Sequence, residues 1–211
     1  MIIANYDRSV FDVTDMDAAK RIILTPEIGL STQDRWDKET PYLMGLLEKV
    51  NLNPSSVVVD FGAGIGRLSK SIIEKYGCSA IGLDISNNMR ALSGVYVGSD
   101  NYFAIPPAGY KFFENRVDLV IAVWALQHVR DLEEEVAKIK FMLKDGGKLF
   151  VVNERRRFVP SDKGWIDDSA DIFMSLQKNF KVDEIEMMDS NIVTDAVAKR
   201  TFYGFFTKQN D

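Results

Sequence analysis

The stretch Val57-Val58-Val59-Asp60-Phe61-Gly62-Ala63-Gly64-Ile65-Gly66-Arg67-Leu68 constrains this chain more than any other, because an apolar strand gives way to alternate glycines and then to a helix. A strand, a tight glycine turn and a helix form the opening unit of an α/β fold that binds a ligand beyond the strand's C-terminal end. Glycine takes positive φ and lets a ligand approach the main chain, while the helix start offers N–H groups. The spacing narrows the ligand. A dinucleotide loop reads G-x-G-x-x-G, whereas here the third glycine falls one place early and Arg67 occupies the expected slot, which disfavours a nicotinamide cofactor.

The rest of the chain repeats the strand and helix alternation. After an irregular segment over residues 1–30, broken by Pro26 and Gly29, the apolar spacing of Leu43, Leu46, Leu47 and Val50 predicts a helix within 32–50, restarted or kinked at Pro41. Strands are expected at 56–60, 79–83, 102–105, 117–123 and 148–152, with helices at 66–76, 87–97 and from Asp131 to about 143 between them. A polar loop, a short helix near 170–179 and two strands at 180–188 and 201–207 complete the series. This order predicts a Rossmann-like, doubly wound, mostly parallel seven-stranded sheet ending in an antiparallel strand pair.

With 46% apolar and 27% charged residues, the 211-residue chain has the composition of a globular protein of one domain. No apolar run approaches the ~18 residues needed to span a bilayer, and the N-terminus shows no basic-then-apolar leader, so a cytoplasmic protein without membrane contact is expected. The net charge of −5 opposes general nucleic-acid binding. Cys78, the single cysteine, has no internal disulfide partner and reads as structural. No residue is assigned to a metal.

Several features converge on the C-terminal edge of the expected sheet. They are Asp60-Phe61-Gly62-Ala63-Gly64-Ile65-Gly66, Gly82-Leu83-Asp84-Ile85-Ser86, Asp118-Leu119-Val120 through His128-Val129, and Leu143-Lys144-Asp145-Gly146-Gly147. In this order and at these separations, over about residues 55–153, the chain resembles the class I S-adenosylmethionine-dependent methyltransferases, in their small-molecule branch. The resemblance implies that S-adenosyl-L-methionine is the cofactor. Asp60 and the amides of Gly62, Ala63, Gly64 and Gly66 would then meet its methionyl zwitterion, Asp84 both ribose hydroxyls, Ile85 the adenine, and Val123 and Trp124 the cavity wall. Asp84 can equally serve the turn ahead of Ser86-Asn87-Asn88. The family's acid after strand three is replaced by Ile105-Pro106-Pro107, which offers no carboxylate to the adenine amino group.

On the acceptor side, His128 is the chain's one histidine and stands just after strand four, as a general base or as a structural hydrogen-bonding group. Arg35 and Trp36 belong to a segment where relatives place a lid, and Asn153 and Arg155 follow strand five, where an acceptor pocket is expected. The run Arg155-Arg156-Arg157 favours an anionic acceptor. The expected organisation is one methyltransferase domain over 1–211: a helical lid at 1–50, a cofactor core at 51–153 and a substrate-side segment at 154–211. The expected function is methyl transfer to O or N of a small acceptor; the alternative is a catalytically inactive cofactor-binding regulatory subunit. Oligomeric state is not legible.

Overall fold

The structure is a computed structural model describing residues 5–209; the outermost ends of the expected lid, 1–4, and of the substrate-side segment, 210–211, lie outside the described residues. A seven-stranded sheet carries the fold. Its strands are β1 (Val57–Phe61), β2 (Ser79–Leu83), β3 (Tyr102–Ile105), β4 (Val117–Val123), β5 (Leu143–Glu154), β8 (Lys181–Met187) and β9 (Thr201–Thr207), in the order β3-β2-β1-β4-β5-β9-β8. The first five run parallel, and β9 joins β5 and β8 antiparallel. The Rossmann-like expectation with its terminal antiparallel pair holds.

Strands covered on both faces carry continuous apolar runs because every second residue meets a different helical layer. Val58, Leu119, Ile121 and Phe150 pack with Leu43 and Leu47 of α2 (Thr32–Leu47) and Leu68 and Ile72 of α3 (Arg67–Tyr76). Their neighbours Val59, Val120, Ala122 and Val151 pack on the other face against Val136 and Ile139 of α5 (Leu132–Met142) and Leu176 of α6 (Ile172–Asn179). Each such side chain, fully buried, is worth roughly 1.5–3 kcal/mol. The helix α4 (Asn87–Val97) is started by the Ser86 hydroxyl, which accepts the Met89 N–H. Cys78 is buried, and burial pushes its thiol pKa up, away from reactivity.

Three expectations are corrected. Residues 1–30 are not irregular throughout: Asp15 accepts the Ala18 N–H and caps a helix, α1 (Met16–Ile23), whose two turns are too short for a clear periodic signal. Helix α2 runs unbroken through Pro41. The supposed polar loop after β5 is a separate two-stranded antiparallel sheet, β6 (Arg156–Ser161) and β7 (Gly164–Asp171), turning at Asp162-Lys163. Its apolar pattern is masked by the arginine run, which the acids of β7 neutralise: Arg155 pairs with Asp171 at 2.7 Å, Arg156 with Asp167 at 3.2 Å, and Arg157 with Asp168 at 2.6 Å in a fully buried pair. A short helix, α7 (Asp195–Ala198), precedes β9.

Candidate active site

A cavity of about 1050 Å³ opens beyond the C-terminal ends of β1, β2 and β4. Part of its wall is the glycine turn. Gly62, Gly64 and Gly66 have φ of 74°, 56° and 81°. A side chain at Gly62 would put its Cβ 2.5 Å from the Cβ of Ala125, and one at Gly64 would come within 2.6 Å of Ile23 on α1. The turn is therefore closed on one side by the segment after β4 and on the other by the N-terminal helix.

The amides of this turn are not free. Gly62 and Ala63 donate to the Leu83 carbonyl at 2.8 and 3.1 Å, Gly66 donates to Ala63, and Gly64 donates to Asp84 Oδ2 at 2.7 Å. The loop thus supplies a close backbone surface, while the expected ring of open N–H donors is consumed internally. Asp84 also accepts the Ser86 N–H at 2.8 Å on its other oxygen, so it serves both the turn and the cavity it lines. A carboxylate has about four acceptor sites. Two remain for a ligand's hydroxyls. Burial raises the pKa of Asp84, and the Ser86 and Gly64 amides pull it back down.

Asp60 does not line the cavity. Its carboxylate accepts the Ser69 hydroxyl at 2.8 Å, tying β1 to α3 behind the turn. Burial pushes its pKa up to about 6, against the lowering effects of the Ser69 bond and the Arg67 charge. Ala63 and Gly66 also sit outside the lining, whereas Ile85 and Val123 border it.

Trp124 borders it too, at φ 57°, an unusual conformation for a bulky residue. Two bonds hold it there: its amide donates to the Val152 carbonyl at 2.8 Å, and its indole Nε1 donates to Glu39 at 3.1 Å. Glu39 is fully buried and takes Arg35 at 2.7 Å; Arg35 in turn pairs with Glu27 at 2.9 Å and donates to the Thr25 carbonyl at 2.7 Å. Arg35 therefore lines the cavity with its guanidinium already engaged, linking the 25–27 turn to the floor. Trp36 points to other partners, edge-on to Tyr96 and against Arg67. Its role is packing between α2 and α4.

Elsewhere on the lining, His128 is fixed on both nitrogens. Nδ1 lies 2.7 Å from the Phe158 carbonyl and so carries the proton. Gln127 Oε1 accepts the Glu154 N–H at 3.0 Å, which turns the amide NH2 toward His128 Nε2, also at 3.0 Å. Burial lowers the histidine pKa, outweighing the Phe158 carbonyl that raises it. The ring is a neutral wall tilted against Trp165 at 4.9 Å and against Phe11 at 6.1 Å. Asn153 is buried below, accepting the Gln127 N–H at 3.4 Å, and Arg155, exposed and paired with Asp171, does not line the cavity. The lining residues Tyr6, Arg8, Phe11, Phe158 and Trp165 carried no sequence signal, because they belong to the N-terminal segment and the β6–β7 sheet.

A family model described as a methyltransferase domain matches residues 32–181. The chain belongs to that family. This methyltransferase domain shares 29% identity over 106 residues with phosphoethanolamine N-methyltransferase 2 of Caenorhabditis elegans, covering 48% of the chain and 24% of that protein. It shares 28% identity over 88 residues with cyclopropane mycolic acid synthase 2 of Mycobacterium bovis, covering 40% of the chain and 29% of the relative. The chain spans no more than half the length of these and the other curated relatives it matches. Among solved structures, phosphoethanolamine N-methyltransferase 2 of Haemonchus contortus in complex with S-adenosyl-L-methionine superposes with a TM-score of 0.68 at 15% identity, over 99% of the chain and 61% of its own. The methyltransferase family stands as the sequence resemblance implied, and the solved structures show its Rossmann-like fold. No helix among the described residues is long and apolar enough to cross a membrane.

Proposed function

We propose that this protein moves a methyl group from S-adenosyl-L-methionine to O or N of a small acceptor. The observation that carries the reading is the pairing of an Asp84 carboxylate, with acceptor sites to spare, with a side-chain-free turn at Gly62 and Gly64 facing one cavity. The residues fit the cofactor: Asp84 for the ribose hydroxyls, Ile85 and Pro107 as an apolar wall for adenine, and Trp124 closing the floor. The cofactor would supply a methyl group activated on a positively charged sulfur and leave as a neutral thioether without taking a proton, the proton of an O–H or N–H acceptor passing to solvent.

What remains for the protein is positioning and water exclusion. The 25–27 turn covers the cofactor end through Arg35, and Phe11, His128 and Trp165 wall the acceptor end. With the Nε2 lone pair of His128 facing Gln127, the ring orients an acceptor and does not take its proton unless Gln127 swings away. In this division the lid of 1–50, the core of 51–153 and the substrate side of 154–211 act as one unit, and the acceptor is a small molecule of unfixed identity. The inactive regulator reading has one specific support, the absence of an uncommitted base at His128.

Incubation with labelled S-adenosyl-L-methionine and a metabolite extract tests the reading. It predicts label in a small-molecule fraction, lost in Gly64→Val. Cofactor binding with no transfer to any fraction would favour the regulator.

A further inference from the structure

The cavity is lined by six carboxylates and four arginines, yet its charges are not left in that proportion. Glu27 is paired with Arg35, Glu154 with Arg200 at 2.9 Å, and Glu134 and Glu135 with Lys138 at 2.7 and 2.8 Å. Asp131 accepts the Glu134 N–H and Asp84 two backbone amides. Arg35 and Arg200 are used in those pairs. Arg8 and Arg130 are not: among the described residues neither guanidinium has a hydrogen bond or an ion pair. In a protein of net charge −5, these two arginines differ from the other charged groups of the lining, each of which is hydrogen-bonded or ion-paired within the chain.

Both are carried on backbone that one element holds in place. Arg8 begins a 3-10 turn (Arg8–Phe11) whose cap, Asp7, accepts the Ser9 N–H and donates its own N–H to the Pro160 carbonyl of β6 at 3.1 Å. The carbonyl of Arg130 accepts Arg157 of β6 at 3.4 Å, and Arg157 is itself locked to Asp168 of β7. The same cavity is walled by Phe11, His128 and Trp165, whose rings lie against one another. The arginines that the sequence offered for an anion, 155 to 157, are spent holding this small sheet together. The sheet in turn brings Arg8 and Arg130 to the cavity.

We propose that Arg8 and Arg130 form the anion subsite of the acceptor pocket, so that the acceptor is a small molecule bearing a carboxylate or phosphate, its body against Phe11 and Trp165. This rests on the methyltransferase reading and deepens it. Guanidinium groups bind such anions through paired, charge-assisted N–H donors, and the two exposed side chains give up little hydration to do so.

Inorganic phosphate, titrated into protein saturated with S-adenosylhomocysteine and followed by phosphorus NMR line broadening, is the direct probe. Saturable binding is expected for the wild type, weakened about tenfold or more in the double variant Arg8→Gln/Arg130→Gln and partly restored in Arg8→Lys/Arg130→Lys. The affinity for S-adenosylhomocysteine should be equal in all three proteins. Phosphate binding that is absent in the wild type, or unchanged in the Gln variant, overturns the subsite. A wild type that fails to bind S-adenosylhomocysteine overturns the methyltransferase reading instead, and the two failures are separable in one series.

Discussion

The proposed cofactor end and the proposed acceptor end of the cavity are built in different ways. At the cofactor end, strands of the central sheet deliver Gly62, Gly64 and Asp84 directly from their C-termini, and the contacts are backbone bonds to backbone or to one carboxylate. At the acceptor end, the sheet contributes strand-end residues such as Glu154, and most of the lining comes from elsewhere. Side chains from the N-terminal segment, the turn after β4 and the β6–β7 sheet are brought together by ion pairs and by His128 and Gln127. The first kind of construction tolerates few replacements. The second can be rebuilt around a different acceptor without disturbing the sheet.

The largest effect should fall where the two ends meet. Glu39→Ala removes the buried carboxylate shared by Arg35 and the Trp124 indole, leaving Arg35 only Glu27 and the Thr25 carbonyl, and breaking a buried ion pair from one side costs up to about 3–5 kcal/mol. Chemical denaturation should show that loss, with the Glu39→Gln variant intermediate. A loss below about 1 kcal/mol would mean that the cavity floor is held by other contacts.

Next comes Asp84→Ala. It should weaken S-adenosylhomocysteine binding about a hundredfold by calorimetry, since charge-assisted hydrogen bonds contribute about 1.5–3 kcal/mol each. An unchanged affinity would place the ribose elsewhere.

Asp60 sharpens the comparison from behind the turn. Its pKa of about 6 in the folded protein exceeds the ordinary 3.8, so the folded state holds the extra proton between those values. Stability therefore falls as pH rises from about 4 to about 6, and the wild type is penalised at neutral pH by at most about 3 kcal/mol. Asp60→Asn should lose that part of the pH dependence while retaining the Ser69 bond. Equal pH profiles for the two proteins would contradict the shift.

The smallest effect is expected at Arg155→Gln. Its exposed pair with Asp171 should contribute under about 1 kcal/mol, and phosphate binding should not change.

This contrast also explains what could be read from the residues in advance. The core strands were legible because both faces of the sheet are covered, which writes continuous runs such as residues 117–123 into the chain. The glycine turn and Asp84 were legible because backbone conformation and carboxylate chemistry leave few substitutes. The helix Met16–Ile23 and the β6–β7 sheet were not, since one has only two turns and in the other the arginine run and its cross-strand acids mask the apolar pattern. Asp60 and the turn amides are matched to the ligand only through the family resemblance. Their partners, Ser69 and Leu83, lie in other elements and become visible only when the fold is assembled.

The most direct test of the account is a crystal structure with S-adenosylhomocysteine bound. The account predicts the ribose hydroxyls on Asp84, the adenine beside Ile85 and Pro107, and the sulfur facing the space walled by Phe11, His128 and Trp165. A ligand seated outside the cavity, or one whose sulfur faces away from that wall, would contradict it.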